Sequence, residues 1–301
     1  MKRLMLVYNP RSSRFKDVER EVLAKARHLK GWMLGKFEVS DTDVDDNARR
    51  LARVLRDGDL VVAAGGDGTA TIALNGIMKS GYPEIRFSVL GFGNFNDMAR
   101  SFGKPTLDQI LSSKQAQKAY PLECKIDDQH FRYGMCYFTI GMFAEACAVF
   151  DFPEVRKKLR HKRKKSVFFS VLELAKWWRE HRKDQFLPPL KVNKKHHENI
   201  SDYVAINSTS MAKVMHSAKW FLKSRTFRST VGNLTSLCGL SRIVIPSILT
   251  GVPGDNTAQS TIILDKPAKI MFQAEGEYKK MPVTEKIEIT KSPRPVWIIT
   301  K

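Results

Sequence analysis

The 301-residue sequence has few cysteines, no long uncharged hydrophobic run and few acidic residues for its size. Its four cysteines have no spacing typical of metal ligands, and free thiols of this kind suit a reducing cytosol. The stretch from Met1 to Val7 is too short for the hydrophobic region of a secretory signal. The most apolar segment, 134–150, contains Glu145 and is expected to lie in a core rather than to span a membrane. We therefore expect a cytoplasmic protein.

The shortage of acidic residues leaves a large positive charge. Lys and Arg number 51 against 31 Asp and Glu, which gives a formal net charge of +20. Such a field attracts polyanions, namely nucleic acid, an anionic membrane or phosphorylated substrates. The excess is concentrated at 156–165, which ends in Lys162, Arg163, Lys164 and Lys165. A solvated surface and a membrane-binding surface are both open interpretations. Because the sequence shows neither an RNA-binding aromatic motif nor a helix-turn-helix, no nucleic-acid partner is expected.

One stretch of strand, glycine turn and helix carries the clearest chemical signal. An apolar run, 60–64, has the length of a buried strand, and a helix-compatible segment follows at 69–78. The turn between them is Gly65-Gly66-Asp67-Gly68. Glycines let the backbone approach an anion closely, and the start of the helix offers unpaired N–H groups. Asp67 cannot bind a phosphate unless a metal, a proton or a water lies between them, so the turn predicts a nucleotide with Mg²⁺.

Strands and helices alternate through the N-terminal third of the chain. The expected strands are Arg3–Tyr8, Phe37–Val39, Leu60–Ala64 and Arg86–Leu90, and the expected helices are Asp17–Leu29, one that begins after Asp43, Thr69–Met78 and Met98–Phe102. This order predicts a parallel sheet with helices on both faces and a ligand crevice at the carboxyl ends of its strands. The residues at those ends are Asn9, Thr42, the loop Gly65 to Thr69 and the loop Gly93 to Asp97.

The pattern changes after Pro105, where short strand-like pieces separated by turn residues predict an antiparallel sandwich. The pieces are 119–126, 129–133, 137–143, 203–207, 243–249, 260–264, 268–274, 286–290 and 296–300. One helix with an apolar face is expected among them, over 166–182.

The string Gly65-Gly66-Asp67-Gly68-Thr69 resembles the nucleotide loop of the diacylglycerol kinase catalytic-domain family, which includes sphingosine kinases, ceramide kinases and bacterial soluble lipid kinases. NAD kinases and phosphofructokinases have related loops. Further stretches match the lipid kinases, namely Asn9-Pro10, Asn75-Gly76, Gly93 with Asn96-Asp97 and Ala99-Arg100, Gly141 with Ala146, and Glu275-Gly276-Glu277. The Asn-Glu signature of NAD kinases is missing, so an NAD kinase-like enzyme is the less favoured alternative.

The resemblance implies an N-terminal α/β nucleotide-binding domain of the phosphofructokinase and NAD-kinase type, followed by an antiparallel β-sandwich domain. The expected boundaries are 1–118 for the first domain and 119–290 for the domain that binds the lipid substrate. A basic helical segment, 154–183, is inserted in the second domain, and a last strand, about 291–301, returns to the first.

The resemblance also implies a role for each matched residue. The nucleotide would be bound by Asn9, Thr42, Gly65, Gly66, Gly68, Thr69, Gly93, Asn96 and Asp97. Asp67 would orient Mg²⁺, Glu275 would accept the proton of the lipid hydroxyl as general base, and Glu277 would help to place it. The surface expected to face an anionic membrane consists of Arg100, Lys162, Arg163, Lys164 and Lys165.

The chain departs from the family pattern at several positions. The family usually has Glu where Ile72 stands, Pro where Gly91 stands and Thr where Asn94 stands, and its base is Asp where this chain has Glu275. Its Asp-Asp-Gly segment, which helps to hold a structural metal in bacterial members, has no counterpart after Ala218. The structural metal site is therefore not expected here.

These observations predict an ATP-dependent lipid kinase that transfers the γ-phosphoryl group to a hydroxyl of a diacylglycerol-like or sphingoid-like lipid. The expected cofactors are ATP and Mg²⁺, and the expected partners are a lipid substrate and an anionic membrane surface on which the protein docks peripherally. Whether the chain forms a homodimer is left open. A non-catalytic nucleotide- and membrane-binding relative and a nucleic-acid-binding protein are the alternatives.

Overall fold

The computed structural model describes residues 2–12, 14–149, 154–155, 166–184, 186–212, 215–217, 221–275 and 277–301. The strands of this part of the chain form a mostly parallel sheet, an antiparallel sheet and a small two-stranded hairpin. The predicted fold class, an N-terminal α/β region followed by antiparallel β structure, is confirmed. Within the described residues, no helix has the length and apolar character needed to cross a membrane.

The parallel sheet contains six strands in the order β2-β1-β3-β4-β18-β5. They are β1 Lys2–Tyr8, β2 Trp32–Glu38, β3 Leu60–Gly65, β4 Arg86–Gly91, β5 Gln117–Ala119 and the last strand of the chain, β18 Val296–Ile298. Strand β18 pairs in parallel with β4 and antiparallel with β5, so the C-terminus lies in the N-terminal sheet. The second strand begins five residues earlier than expected from sequence.

Helices cover this sheet. They are α1 Phe15–Val18, α2 Ala24–Ala26, α3 Val44–Val54, α4 Asp67–Ser80, α5 Asp97–Ser101 and α6 Leu107–Ser112, and the π-helical stretch Glu19–Leu23 joins the first two. The predicted cap of α3 is present, since the Asp43 carboxylate accepts a hydrogen bond from the Asp46 N–H at 2.7 Å. Helix α4 is buried from Thr69 to Met78, which explains why its sequence is apolar on all sides.

The antiparallel sheet contains ten strands. They are β6 Leu122–Ile126, β7 Gln129–Gly134, β8 Tyr137–Gly141, β9 Leu190–Val192, β10 Lys195–His197, β11 Asp202–Ile206, β14 Phe227–Gly232, β15 Asp255–Thr257, β16 Gln259–Ala274 and β17 Glu277–Lys291. The main path runs β15-β14-β11-β8-β16-β17-β6-β7. Strands β12 Ser210–Met211 and β13 Met215–His216 form the separate hairpin. Three predicted pieces, 260–264, 268–274 and 286–290, are thus parts of two long strands, β16 and β17.

The remaining helices are α7 Met142–Ala148, α8 Ser166–His181 and α9 Leu237–Leu249. The predicted strand 243–249 is wrong, because these residues form the second half of α9. A short apolar run does not distinguish a strand from a helix, and here the Ser236 side chain caps a helix by accepting from the Gly239 N–H at 3.0 Å. The predicted strand 137–143 ends at Gly141, whose φ of +90° breaks the extended chain before α7.

The two sheets are packed on one shared core. The largest cluster of buried hydrophobic residues combines Val61 and Phe87 of the parallel sheet with Val204 and Ile206 of the antiparallel sheet. A second cluster fills the antiparallel sheet alone, and a third lies under α1 and α2. The shared core places the turn between β16 and β17 next to the carboxyl ends of the parallel strands.

Candidate active site

A cleft of about 490 Å³ lies between the carboxyl ends of the parallel strands and the turn that joins β16 to β17. The predicted site residues that line it are Asn9, Thr42, Gly66, Asp67, Gly68, Thr69, Gly93, Glu275 and Glu277. These residues come from five separate stretches of the chain, so the fold brings together what the sequence only suggested. Of the positions that depart from the family pattern, Ile72 and Asn94 also line this cleft.

The first glycine loop forms one side of the cleft. Gly66 has an extended backbone and caps α4, which begins at Asp67. At two of these glycines, a side chain would meet a neighbouring residue. A Cβ on Gly65 would overlap the Thr69 side chain, and a Cβ on Gly68 would overlap the Glu277 carboxylate. The loop therefore presents backbone N–H groups at the start of a helix to the cleft, which is the arrangement that binds phosphate.

The second glycine loop touches the first. A Cβ on Gly93 would overlap the Gly66 backbone. Asn96, which has a φ of +56°, holds Gly93 in place, because its Oδ1 accepts from the Gly93 N–H at 2.6 Å and its Nδ2 donates to the Gly93 oxygen at 2.7 Å. Asn96 thus shapes the loop rather than facing the cleft.

Asp97 is fully buried behind the second loop. Its carboxylate accepts hydrogen bonds from the Ser210 hydroxyl at 2.8 Å, the Ala212 N–H at 2.8 Å and the Tyr137 hydroxyl at 3.3 Å. Arg100 forms an ion pair with the same carboxylate and donates from Nε to Ser210 Oγ at 2.9 Å. This network ties the β12–β13 hairpin to the parallel sheet.

Arg100 thus takes part in the hydrogen-bond network around Asp97. Its expected role at a membrane surface stays a prediction. Its side chain is only 21% exposed, and the guanidinium is engaged by Asp97. The other basic residues assigned to that surface, Lys162, Arg163, Lys164 and Lys165, lie outside the described residues.

Asn9 and Thr42 lie on the opposite side of the cleft. The Asn9 side chain accepts from the Arg11 N–H at 2.9 Å. Thr42 is held by Asn47, a completely buried residue of α3 whose Nδ2 donates to Thr42 Oγ1 at 3.0 Å. Sequence reasoning missed Asn47. Its position next to Ala48, which the sequence already placed on the apolar face of the helix, could have indicated a buried polar side chain. An ion pair between Arg11 and Asp41, both of which line the cleft, spans these two loops.

Glu275 lies in the tight turn between β16 and β17, where Ala274 pairs with Glu277. Its φ is +55°, an uncommon conformation for a residue with a side chain. The side chain is buried, with only 1% of the residue exposed. Oε1 accepts from the Cys136 N–H, whereas Oε2 has no hydrogen-bond partner among the residues that the structure describes. Because buried polar atoms are almost always hydrogen-bonded, this oxygen marks a place where a cation or a proton donor is needed.

The carboxylates of Asp67 and Glu275 line this end of the cleft, and the buried Asp97 carboxylate lies close enough to influence both. Burial and, to a smaller extent, the carboxylates of Asp67 and Asp97 raise the pKa of Glu275 to about 8, against the lowering effect of the Cys136 N–H. Burial and the Asp97 carboxylate likewise raise the pKa of Asp67 to about 7, although the Met98 N–H donates to Asp67 at 3.1 Å and lowers it. The region is therefore short of positive charge, and a bound cation would relieve the repulsion.

The residues present fit Mg²⁺ bound together with a nucleotide, but not a metal held by protein alone. Among the described residues, no three His, Cys, Asp or Glu side chains are grouped closely enough to hold a metal ion. Mg²⁺ commonly takes one or two carboxylates plus substrate phosphates, and Asp67 beside the glycine loop supplies such a carboxylate.

A lysine holds the segment in which the family has Asp-Asp-Gly. The buried Lys291 donates from Nζ to the Phe221 oxygen at 2.8 Å, to the Tyr120 oxygen at 3.0 Å and to Asn207 Oδ1. The segment is thus bound to the core through the Lys291 amino group, whose pKa is lowered to about 7 by burial.

Comparison with known proteins agrees with the sequence motifs. Residues 3–124 match the diacylglycerol kinase catalytic domain. A diacylglycerol kinase from Bacillus subtilis (strain 168) is 33% identical over 123 residues, which make up 38% of this chain and 37% of that protein. The matched region therefore spans little more than a third of this relative. The domain match, 3–124, contains both glycine loops and ends before Glu275.

The whole chain resembles solved structures from Bacillus anthracis strain Sterne that are described as a diacylglycerol kinase or a candidate one. One has a TM-score of 0.69 at 13% identity, and another has a TM-score of 0.62 at 14% identity. Both comparisons cover 100% of this chain and 97% of the other. At this identity they show the fold. Together with the domain match, they confirm the resemblance read from the sequence.

Proposed function

We propose that this chain is an ATP-dependent lipid kinase that transfers the γ-phosphoryl group of ATP to a hydroxyl of a diacylglycerol-like or sphingoid-like lipid. The observation that carries the proposal is the position of Glu275. Its unpartnered carboxylate oxygen is buried at the same cleft as the loop formed by Gly66, Asp67 and Gly68. Phosphoryl transfer needs a cradle for phosphates and a group that accepts the proton of the attacking hydroxyl, and the two lie here on facing sides.

The glycine loops bind and orient the nucleotide in this proposal. The N–H groups of Gly66, Gly68 and Thr69 point to phosphates at the start of α4, where the helix dipole favours negative charge. Asn9 and Thr42 hold the far side of the nucleotide, while Asn96 and Asp97 keep the second loop in shape. The cleft volume of about 490 Å³ lies within the usual range for small-molecule sites.

Asp67 would hold Mg²⁺, which supplies charge neutralisation for the phosphates when bound. Glu275 Oε2 would take the proton of the lipid hydroxyl as the oxygen attacks. Because the pKa of Glu275 is raised to about 8 in the structure described here, a neighbouring positive charge is needed to favour its carboxylate form at neutral pH. Glu277 packs against Gly68 and so joins the turn to the nucleotide loop.

The proposal also covers the location of the protein in the cell and the part of the chain that binds each substrate. We infer a cytoplasmic protein that docks peripherally on an anionic membrane, with residues 1–118 and the returning strand binding nucleotide and residues 119–290 binding lipid. The net charge of +20 supports the membrane partner.

The test is direct. Purified protein is incubated with γ-labelled ATP, Mg²⁺ and dispersed diacylglycerol or sphingosine, and labelled lipid is separated and identified. We expect a labelled phospholipid with one of the two classes, and none when Mg²⁺ is chelated. Failure to label any lipid in a mixed extract, by protein that is stabilised by ATP, would contradict the proposal.

A second candidate, a non-catalytic nucleotide- and membrane-binding relative, is favoured by one observation. Ile72 lines the cleft at the position where the family usually has Glu, so an apolar side chain replaces a carboxylate there. One measurement distinguishes the two candidates. ATP and Mg²⁺ should raise the Tm of the protein in both cases, but only a kinase would transfer the γ-phosphoryl group of ATP to lipid.

A further inference from the structure

Helix α9 is apolar on the side that faces solvent. Leu237, Ile245, Ile248 and Leu249 are 68%, 52%, 46% and 72% exposed. At 3.6 residues per turn, these four side chains fall within about 120° of the helix circumference. We refer to these four residues as the α9 face. Single exposed apolar residues are common on protein surfaces, but a grouped set on one helix marks an interaction site.

The opposite side of α9 is firmly packed. Ile243 is buried and belongs to a cluster with Met142 and Leu234, against which Trp177 and Trp178 of α8 pack. The Trp178 indole donates to the Leu234 oxygen at 2.5 Å. The helix is therefore anchored by its inner side, and the α9 face is a stable feature of the surface.

The surrounding sequence carries only positive charge. No Asp or Glu occurs between Asp202 and Asp255, whereas this segment contains six Lys and Arg residues. Three of them, Lys223, Arg225 and Arg242, are exposed. Arg242 lies on α9 itself. An apolar helix face that carries a cation, in a stretch of chain without carboxylates, complements an anionic lipid surface, because the apolar side chains can enter the interface while the cation meets the headgroups.

The α9 face is also close to the cleft. Helix α9 packs against β13, the second strand of the β12–β13 hairpin. Ala212, between the two strands of that hairpin, lines the cleft and donates its N–H to Asp97 at 2.8 Å. A membrane bound at α9 would therefore be separated from the reacting groups by one short hairpin.

We propose that the α9 face docks this protein on an anionic phospholipid bilayer, with Leu237, Ile245, Ile248 and Leu249 entering the interfacial layer. The proposal rests on the proposed function only for the reason to reach a membrane, since binding itself needs no catalysis. It assigns docking to residues other than those of the basic run at 156–165.

The test uses sedimentation with vesicles of phosphatidylcholine that contain phosphatidylglycerol. The variant Ile245→Asp/Leu249→Asp places two carboxylates on the α9 face, and we expect its partition coefficient to fall at least about tenfold. The matched control, Met33→Asp/Val54→Asp, makes the same change at two exposed apolar residues of the parallel-sheet region. It should bind as the wild type does. Equal binding by both variants and the wild type would overturn the proposal.

A second measurement needs no variant. Cys238 lies on α9 and is exposed, whereas Cys124 and Cys136 are buried. We expect vesicles containing phosphatidylglycerol to slow maleimide modification of Cys238 at least about fivefold, and vesicles of phosphatidylcholine alone to leave its rate nearly unchanged, because electrostatic attraction brings the helix to the surface. An unchanged rate for protein that has sedimented with the vesicles would overturn the proposal, even if the aspartate variant fails to fold.

Two further controls distinguish membrane docking from self-association and from the proposed kinase function. If light scattering shows that the aspartate variant dissociates a wild-type dimer while vesicle binding is unchanged, the α9 face is a self-association surface and the proposal is wrong. Kinase activity is measured in parallel with detergent-dispersed lipid. The variant should keep wild-type activity there. A wild type that binds vesicles through α9 but phosphorylates no lipid would contradict the proposed function and leave the docking surface standing.

Discussion

The two sides of the cleft are built in different ways. The proposed nucleotide side consists of loops at the carboxyl ends of parallel strands, where glycines and backbone N–H groups would bind phosphates. The other side carries the buried carboxylate of Glu275, at a turn with positive φ and with one oxygen that has no partner in the described part of the chain. A cradle of backbone groups is formed at little cost, whereas a half-satisfied buried carboxylate is unfavourable for stability and is retained for function.

The largest effect on the nucleotide side is expected from Asp67→Ala. Loss of the carboxylate removes the proposed protein ligand for Mg²⁺, so lipid phosphorylation should be abolished while the fold remains intact. The assay is labelled phosphate transfer at saturating ATP, with Asp41→Ala as a control that removes an exposed carboxylate of the same cleft. Unchanged turnover in Asp67→Ala would refute this role.

The contact between the two sides is tested by Gly68→Ala. The added Cβ would occupy the position of the carboxylate of Glu277, an exposed residue whose side chain must move away, so ATP affinity should fall by at most about tenfold, equivalent to about 1.4 kcal/mol. In the double variant Gly68→Ala/Glu277→Ala the overlap is removed, and much of the ATP affinity should return. Additive losses measured by titration calorimetry would show that the two residues are not coupled.

Lys291 provides a contrast to Glu275, because it is a buried titratable group whose amino nitrogen donates to three oxygen acceptors. Lys291→Met would leave the Tyr120 and Phe221 carbonyls without this donor, and we expect the free energy of unfolding to fall by about 2–3 kcal/mol. The exposed Lys280→Met is the matched control. Denaturant unfolding measures the free energy of unfolding of both variants. Equal values would show that the hydrogen bonds of Lys291 do not stabilise the fold.

A further expected effect is a pH dependence of stability. The pKa of Glu275 is raised to about 8 in the folded chain, against an ordinary value of 4.5, so the folded state holds this proton where the unfolded state has lost it. Its stabilising contribution is therefore complete below pH 4.5 and is lost as the pH rises through about 8.

Glu275→Gln removes this titration. Without ligands, the Tm of the variant should exceed that of the wild type by a margin that grows between pH 5 and pH 8. Thermal unfolding at a series of pH values measures the difference. A margin that is constant or that shrinks with pH would show that Glu275 is ionised in the empty cleft.

The nucleotide side could be predicted largely from sequence because its determinants are local. A buried strand, three glycines and a helix start lie within a few consecutive residues, and the structure places Gly66, Asp67 and Gly68 at the cleft as expected. A local pattern could not predict the hydrogen bonds by which residues outside the motifs hold the loops of the site. Asn47 shapes the Thr42 loop, and Asp97 bonds to residues of the β12–β13 hairpin more than 100 positions away in the chain.

The C-terminal region was harder to predict for a physical reason. Strand pairing there joins distant segments, such as β8 with β16, so local patterns give pieces rather than complete strands. The second half of α9 was misassigned because its outward side is apolar, which removes the alternation that identifies a surface helix. The position of Glu275 was suggested by the family resemblance alone, and its burial and missing partner are visible only in the structure.

The central claim is that Glu275 acts as the base across the cleft from an intact nucleotide site. It is tested most directly by Glu275→Gln, which keeps the size and hydrogen bonding of the side chain but cannot take a proton. ATP affinity should barely change, lipid phosphorylation should fall by about 10²-fold or more, and Glu275→Asp should lose much less. Full phosphorylation activity in a normally folded Glu275→Gln protein would contradict the account.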